Sequence, residues 1–178
     1  MTVIEWLVII ILSLLLAVIC LIFGYQISFL IPMFHGPVFV PSADDKLATM
    51  LSLPKLTKRS KVIDLGSGDG KVLIALAEKF GLQGVGVEIN GILVRRSRRN
   101  IARAGLTKKL TILKQSFWDI DLSQYDVVFF YGTSYVMRRL EKKVKKEMKK
   151  GSQFVSNYFQ FPTLKPVKTV NDVRLYRL

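Results

Sequence analysis

A chain of 178 residues has room for one domain of ordinary size and little for a second. All 27 lysines and arginines stand at Lys46 or later and 12 of the 13 acids at Asp44 or later, so the portion from Asp44 onward carries about +15 of a total formal charge of +14. Such a charge favours anionic partners. One cysteine, Cys20, and one histidine, His35, exclude a disulfide framework and most metal chemistry, and no metal ligands are assigned.

In chain order, the first element is apolar. No charged residue stands between Glu5 and Asp44, and Leu7–Phe23 holds 14 Leu, Ile, Val or Phe. At roughly −0.3 to −0.6 kcal/mol each on an insertion scale, they favour spanning a bilayer by several kcal/mol. Trp6 and Tyr25 lie 19 residues apart, about 28 Å as a helix and close to the ~30 Å hydrocarbon core. A secretory leader should open on basic residues and close on small ones. Here Glu5 precedes the run and Tyr25-Gln26-Ile27 follows it. A core helix should carry a polar stripe, and this run has none. Residues 1–34 are expected to form a single transmembrane anchor, with a connecting segment over 35–60. The positive-inside tendency places the domain over 61–178 in the cytoplasm.

That domain reads as alternating strands and helices. Strands are expected over Lys61–Leu65, Gly84–Ile89, Leu110–Lys114, Asp126–Tyr131 and Gln153–Tyr158. Helices are expected over Lys71–Phe80, Ile92–Ala104 and Ser134–Lys150. Val167–Val170 and Val173–Leu178 form a hairpin around Asn171-Asp172. The pattern predicts an α/β fold, a Rossmann-like, largely parallel sheet with helices on both faces and a C-terminal β-hairpin.

The densest chemical signal is Asp64-Leu65-Gly66-Ser67-Gly68-Asp69-Gly70, followed by Glu88 at the end of the second strand. Glycines there permit a tight turn and close approach of a ligand to the backbone. The next helix offers unpaired N–H groups to an anionic group. Glu88 stands 22 residues after Gly66, where its two oxygens can accept both hydroxyls of a ribose. A dinucleotide fingerprint, G-x-G-x-x-G, would need glycine at position 71, which is lysine. The observed acid-x-G-x-G-x-G is the first motif of S-adenosylmethionine (SAM)-dependent class I methyltransferases.

Further stretches stand in one order: Gly36-Pro37-Val38-Phe39-Val40-Pro41-Ser42, Gly86-Val87-Glu88-Ile89-Asn90, Phe117-Trp118, Tyr131-Gly132, Leu140-Glu141-Lys142-Lys143 and Phe159-Gln160-Phe161-Pro162. From about Pro37 to the C-terminus the chain resembles the small lysine methyltransferases of the FAM173 type. They include membrane-anchored mitochondrial enzymes acting on the ADP/ATP carrier and the ATP-synthase c-ring, with soluble archaeal relatives. The resemblance implies a SAM site floored by Asp64, Gly66, Ser67, Gly68 and Gly70, with Glu88 and Asn90 toward the ribose. It implies that Pro41 and Ser42 fold over the cofactor and that Ser116, Phe117 and Trp118 lie near adenine. Many relatives carry an acid where this chain has Ser116, so adenine contacts would rest more on backbone and on ring packing.

Methyl transfer to an amine asks for alignment and water exclusion more than for acid–base groups. A target lysine must lose its proton, which an apolar, hydrogen-bond-accepting pocket favours by lowering its pKa. Tyr131, Thr133 and Tyr135 follow the fourth strand, at the edge where open α/β sheets place ligands, and are the candidate catalytic residues. No Asn-Pro-Pro-Tyr stretch follows that strand, which argues against amide or adenine-amine acceptors. Cys20 lies in the anchor, which rules out a cysteine-dependent pyrimidine C5 mechanism. The expected activity is SAM-dependent methylation of lysines on membrane-associated proteins. The alternatives are an RNA or small-molecule methyltransferase, or a non-catalytic SAM-binding membrane protein. The arginines of the helix at 92–104 and the lysines of the helix at 134–150 read as solvated faces or as contacts with anionic lipid. No RNA-binding module is visible, so nucleic acid is not expected as a partner.

Overall fold

The structure, a computed structural model, describes residues 2–35 and 44–178. They fall into two compact units, Met1–Phe34 and His35–Leu178.

The first unit is one helix, α1 (Val3–His35). A reciprocal cap closes its start: the Thr2 amide donates to Glu5 Oε2 at 2.8 Å, and the Glu5 amide donates to Thr2 Oγ1 at 3.3 Å. Ser13 folds its hydroxyl back onto the Ile9 carbonyl at 2.8 Å, so it presents no unpaired donor. The stretch Val3–Ile27 is long and apolar enough to cross a membrane, with a mean hydropathy of 3.3. Every side chain along it is exposed within the chain.

In the second unit, β1 (Val62–Leu65), β2 (Gly84–Glu88), β3 (Leu110–Lys114), β4 (Val127–Tyr131), β5 (Gln153–Asn157), β6 (Lys168–Val170) and β7 (Val173–Arg177) build one sheet. The order is β3-β2-β1-β4-β5-β7-β6. The first five strands pair in parallel, and β7 runs antiparallel to β5 and β6. Side chains alternate between two cores, as a period of two requires. Val62, Val127, Phe129 and Val155 pack with α2 (Asp44–Ser52), α3 (Lys71–Phe80) and α4 (Gly91–Arg103) through Met50, Leu73, Leu76 and Ile101. Ile63, Leu65, Val128, Phe130 and Phe154 pack with α5 (Ser134–Glu147) through Met137, Leu140 and Val144. Strand order reverses at β1, which lies between β2 and β4. The helices after β1 and β4 cover opposite faces, and this leaves a crevice at the carboxyl ends of those two strands.

Several bounds shift by a residue from the sequence expectation, and three differences have a physical reason. α5 ends at Glu147 because Met148 turns extended at φ −73 and ψ 136, freeing Lys149 to pair with Asp126 at 2.7 Å. β5 ends at Asn157 because Tyr158 adopts φ 71. α2, a helix of 9 residues, forms within the stretch read as a connecting segment. Its Lys46 donates to the Asn171 carbonyl at 2.6 Å and to Asp172 Oδ2 at 3.1 Å, docking it on the tip of the β6–β7 hairpin. Asn171 and Asp172 hold φ 48 and 58, the left-handed pair of a tight two-residue turn.

Candidate functional site

The crevice begins where β1 ends. Gly66, Gly68 and Gly70 have φ 77, 55 and 85, values that an L side chain rarely tolerates. The amides of Gly66 and Ser67 donate to the Val87 carbonyl at 2.8 and 3.0 Å, lashing the turn to β2. A Cβ on Gly86 would stand 2.6 Å from both Ser67 Oγ and Ile112 Cδ1, so β2 is glycine where the turn crosses it. Gly70 begins α3 with no side-chain cap. α4 meets the turn as well, because Asn100 Nδ2 donates to the Asp69 carbonyl at 3.0 Å. Two arginines of the basic helix are engaged: Arg96 lies 3.8 Å from Asp69, and Arg98 donates to the Ile112 carbonyl at 2.7 Å.

Two buried acids face this turn. Glu88 Oε2 accepts the Gly68 amide at 3.0 Å and Oε1 accepts the Asn90 amide at 2.8 Å, so the carboxylate is fixed at both ends. Each oxygen retains acceptor capacity. Asp64 is buried on β1, and burial, then the negative charges of Glu88 and Asp69, push its carboxyl up to about 7. A raised carboxyl pKa marks a place where a cation is welcome.

These features fit SAM. Gly66 is left-handed with open space where a Cβ would stand, a backbone cradle beside a fixed acceptor for a ribose diol. The cofactor's sulfonium and ammonium are the cations that an acidic pair offsets. SAM supplies an activated methyl group.

The remaining expected site residues divide. Asn90 caps α4, its Oδ1 accepting from the Ile92 and Leu93 amides. Ser116 caps the short 3₁₀ turn η1 (Phe117–Asp119) by accepting from the Trp118 amide at 3.3 Å, while the Gln115 amide donates to the Glu88 carbonyl. Phe117 is buried against Phe130, ring centroids 5.9 Å apart, and the Arg139 guanidinium lies 4.1 Å over the Trp118 ring. Tyr131 closes β4 half-buried, Thr133 precedes α5 with its hydroxyl buried and unpaired among the described residues, and Tyr135 is exposed on the first turn of α5. The turn after β1, Glu88 and Tyr131 thus meet along one sheet edge. Pro41 and Ser42 lie outside the described residues.

The sequence singles out Phe159–Pro162 but not how the segment after β5 is held. Tyr158 holds its positive φ while its amide donates to the Asp172 carbonyl at 2.9 Å and its carbonyl accepts from the Arg174 guanidinium. Further on, buried Glu141 of α5 accepts from Thr163 Oγ1 at 2.7 Å, the Thr163 amide at 3.1 Å and the Leu164 amide at 2.5 Å. The Phe161 amide donates to the Tyr176 hydroxyl at 3.1 Å. Burial works to raise the Glu141 pKa, but these hydrogen bonds and that of Lys145 together hold it below the usual range. The clamp joins Glu141, inside the Leu140–Lys143 stretch, to residues that directly follow the Phe159–Pro162 stretch.

A seven-strand sheet in this order, parallel but for β7, with a left-handed glycine turn after β1 and an acid closing β2, defines a class I SAM-dependent methyltransferase. Residues 64–168 match the model of the ANTKMT methyltransferase domain. The chain is 34% identical over 137 residues to a protein-lysine N-methyltransferase of Saccharolobus islandicus, covering 76% of this chain and 84% of that protein. It is 31% identical over 135 residues to the mouse adenine nucleotide translocase lysine N-methyltransferase, covering 75% of this chain and 58% of that one. The chain therefore spans little more than half the length of the mouse enzyme. A crystal structure of an RNA methyltransferase from Salinibacter ruber, in complex with S-adenosyl-L-homocysteine, superposes with a TM-score of 0.73 at 30% identity, over 78% of this chain and 92% of that one. The chain belongs to the ANTKMT methyltransferase family and uses SAM.

Proposed function

We propose that this protein transfers methyl groups from SAM to lysine side chains of membrane-associated proteins, as a single-pass membrane enzyme with its catalytic domain in the cytoplasm. The observation that carries the lysine reading is the 34% identity to the archaeal protein-lysine N-methyltransferase across 84% of its length. The membrane reading rests on the apolar Val3–Ile27 stretch and on the confinement of every lysine and arginine to the chain beyond it. Tethering would raise the effective concentration of bilayer-bound targets, and the basic faces of α4 and α5 would favour anionic headgroups. In this reading residues 61–178 are the catalytic domain. Asp64, Gly66, Ser67, Gly68 and Gly70 cradle the cofactor, Glu88 and Asn90 hold its ribose side, and the 116–118 backbone meets adenine. Pro41 and Ser42 cover the cofactor, and Tyr131, Thr133 and Tyr135 line the acceptor pocket.

In the transfer, the lysine nitrogen's lone pair bonds the methyl carbon as the carbon–sulfur bond breaks, giving S-adenosylhomocysteine and a methylated ammonium. The protein's share is to hold the amine neutral and aimed. RNA is the second reading, favoured by the Salinibacter structure and by the charge of the domain. The test is to incubate the purified full-length protein and labelled SAM with membranes, and separately with total RNA, from a strain lacking this chain. Mass spectrometry should place the label on lysine of a membrane protein. Label taken up by RNA and not by protein overturns the lysine reading. Digestion of the C-terminal domain from outside sealed spheroplasts overturns the cytoplasmic placement.

A further inference from the structure

A neutral lysine amine carries two N–H donors and one lone pair, and the lone pair alone must face the methyl. In a site closed to water, each N–H left without an acceptor slows the reaction, because a buried unpaired donor is unfavourable. The acceptors must also be uncharged, since a carboxylate would hold the lysine as its unreactive ammonium.

The carboxyl edge of the sheet offers such groups on β4 and β5. Tyr131 of β4 and Asn157 of β5 are direct partners in register. Both share the parity of Phe129 and Val155, so they lie side by side on the sheet face packed by α2 and α3. Asp64, paired with Phe129, lies on that same face one row below. Asn157 is 3% exposed, yet no hydrogen bond joins its carboxamide to any described residue. Close by in the chain after Tyr131, the Thr133 hydroxyl is buried with no partner among the described residues. The backbone just past Asn157 is held in a left-handed, strained form by Asp172 and Arg174, and strain of this kind collects at functional sites.

We propose that Asn157 is a catalytic residue: its Oδ1 accepts one N–H of the acceptor amine, with Thr133 Oγ1 accepting the other, so that the lone pair points at the methyl. This rests on the lysine reading above. The arrangement is graded by chemistry. An unmodified lysine amine offers two N–H donors, a monomethyl amine one and a dimethyl amine none.

Asn157→Leu keeps the side-chain size and removes the acceptor; Asn157→Ala serves if leucine prevents folding. The full-length protein is assayed on synthetic peptides spanning the labelled lysine found in membranes, carrying unmodified, monomethyl or dimethyl lysine, with SAM affinity measured by calorimetry. Transfer to the unmodified peptide should fall about tenfold to a hundredfold, with a smaller fall at each added methyl. SAM affinity should stay within about twofold, since the lost acceptor faces the amine. An unchanged rate on the unmodified peptide, or an equal fall on every peptide that the parent enzyme accepts, overturns the role of Asn157. If the parent enzyme labels no lysine at all, the lysine reading fails instead.

Discussion

The two halves of the sheet hold their site residues by different means. Around β1 and β2 the geometry is backbone: left-handed glycines, amides lashed to Val87, and a carboxylate fixed by two neighbouring N–H groups. Around β5 and β7 it is held by side chains from distant parts of the chain, with Glu141 on the 163–164 loop, Tyr176 on Phe161, Arg174 on Tyr158 and Lys46 on the hairpin tip. An invariant ligand such as a cofactor can be met by fixed backbone. An edge that meets an acceptor is free to vary if it hangs on exchangeable side chains. Damage should therefore differ in kind: changes to the side chains that brace the β5–β7 edge should cost stability first, and changes near β2 should cost cofactor binding first.

The largest expected effect sits on the side-chain half. Glu141→Ala leaves the Thr163 and Leu164 donors without their acceptor, and removing one member of a buried charged network typically costs about 3–5 kcal/mol. Urea unfolding of the full-length protein in detergent should show that loss, with SAM affinity of the folded fraction unchanged. Loss of SAM binding without loss of stability would break the division.

Next comes Asp64. Its carboxyl rises from an ordinary 3.8 to about 7 in the fold. Below pH 3.8 both states keep the proton. Between there and about 7 the unfolded chain releases it while the folded chain retains it, so stability falls as pH rises through that window and levels off above it. At about 1.4 kcal/mol per unit, the ceiling is about 4 kcal/mol. Asp64→Asn should flatten the decline between pH 4 and 7, and identical pH profiles would refute the shift. SAM, bringing positive charge to the site, should restore part of the parent's stability at pH 8.

Glu88→Ala should weaken SAM binding by about 1.5–3 kcal/mol, the worth of hydrogen bonds to a charged acceptor. Calorimetry showing unchanged affinity would remove Glu88 from the ribose. The Gly68 and Asn90 amides also lose their acceptor, and the Gly68 amide is buried, so some stability should be lost with the affinity.

This division also explains what could be read in advance. Asp64–Gly70 is contiguous and Glu88 closes the next strand, so one local pattern carries the left-handed turn and the carboxylate fixed beside it. The hairpin was equally legible, because Asn171 and Asp172 are among the few residues that accept positive φ. α2 has only 9 residues, too few for a clear apolar period, and it is fixed by contacts 125 residues away. Tyr158 gives no sign of its φ, since a tyrosine enters that region only when tertiary bonds impose it. Glu141 stands among lysines and reads as one more member of a charged helix face. Phe117 and Trp118 were expected beside adenine on resemblance. In the fold Phe117 packs its ring on Phe130 and Trp118 lies beneath Arg139, tertiary contacts that no local pattern announces.

The smallest expected effect tests how far the hairpin supports Tyr158. Lys46 reaches the Asn171 carbonyl, Asn171 Oδ1 and Asp172 Oδ2, while the Asp172 carbonyl accepts the Tyr158 amide. Lys46→Ala removes a partly exposed ion pair, with side-chain exposures of 22% and 55%. Such a pair is worth about 0.2–1 kcal/mol and weakens in salt. Global stability should therefore barely move. Hydrogen exchange at the Tyr158 amide should speed up severalfold, because the loosened hairpin tip opens locally before the sheet does. In about 1 M salt, where the screening length falls to about 3 Å, the parent should drift toward the variant. If Tyr158 exchanges at the parent rate in the variant, the Arg174 contact alone holds that strained residue, and the hairpin tip has no part in shaping the edge beside Asn157.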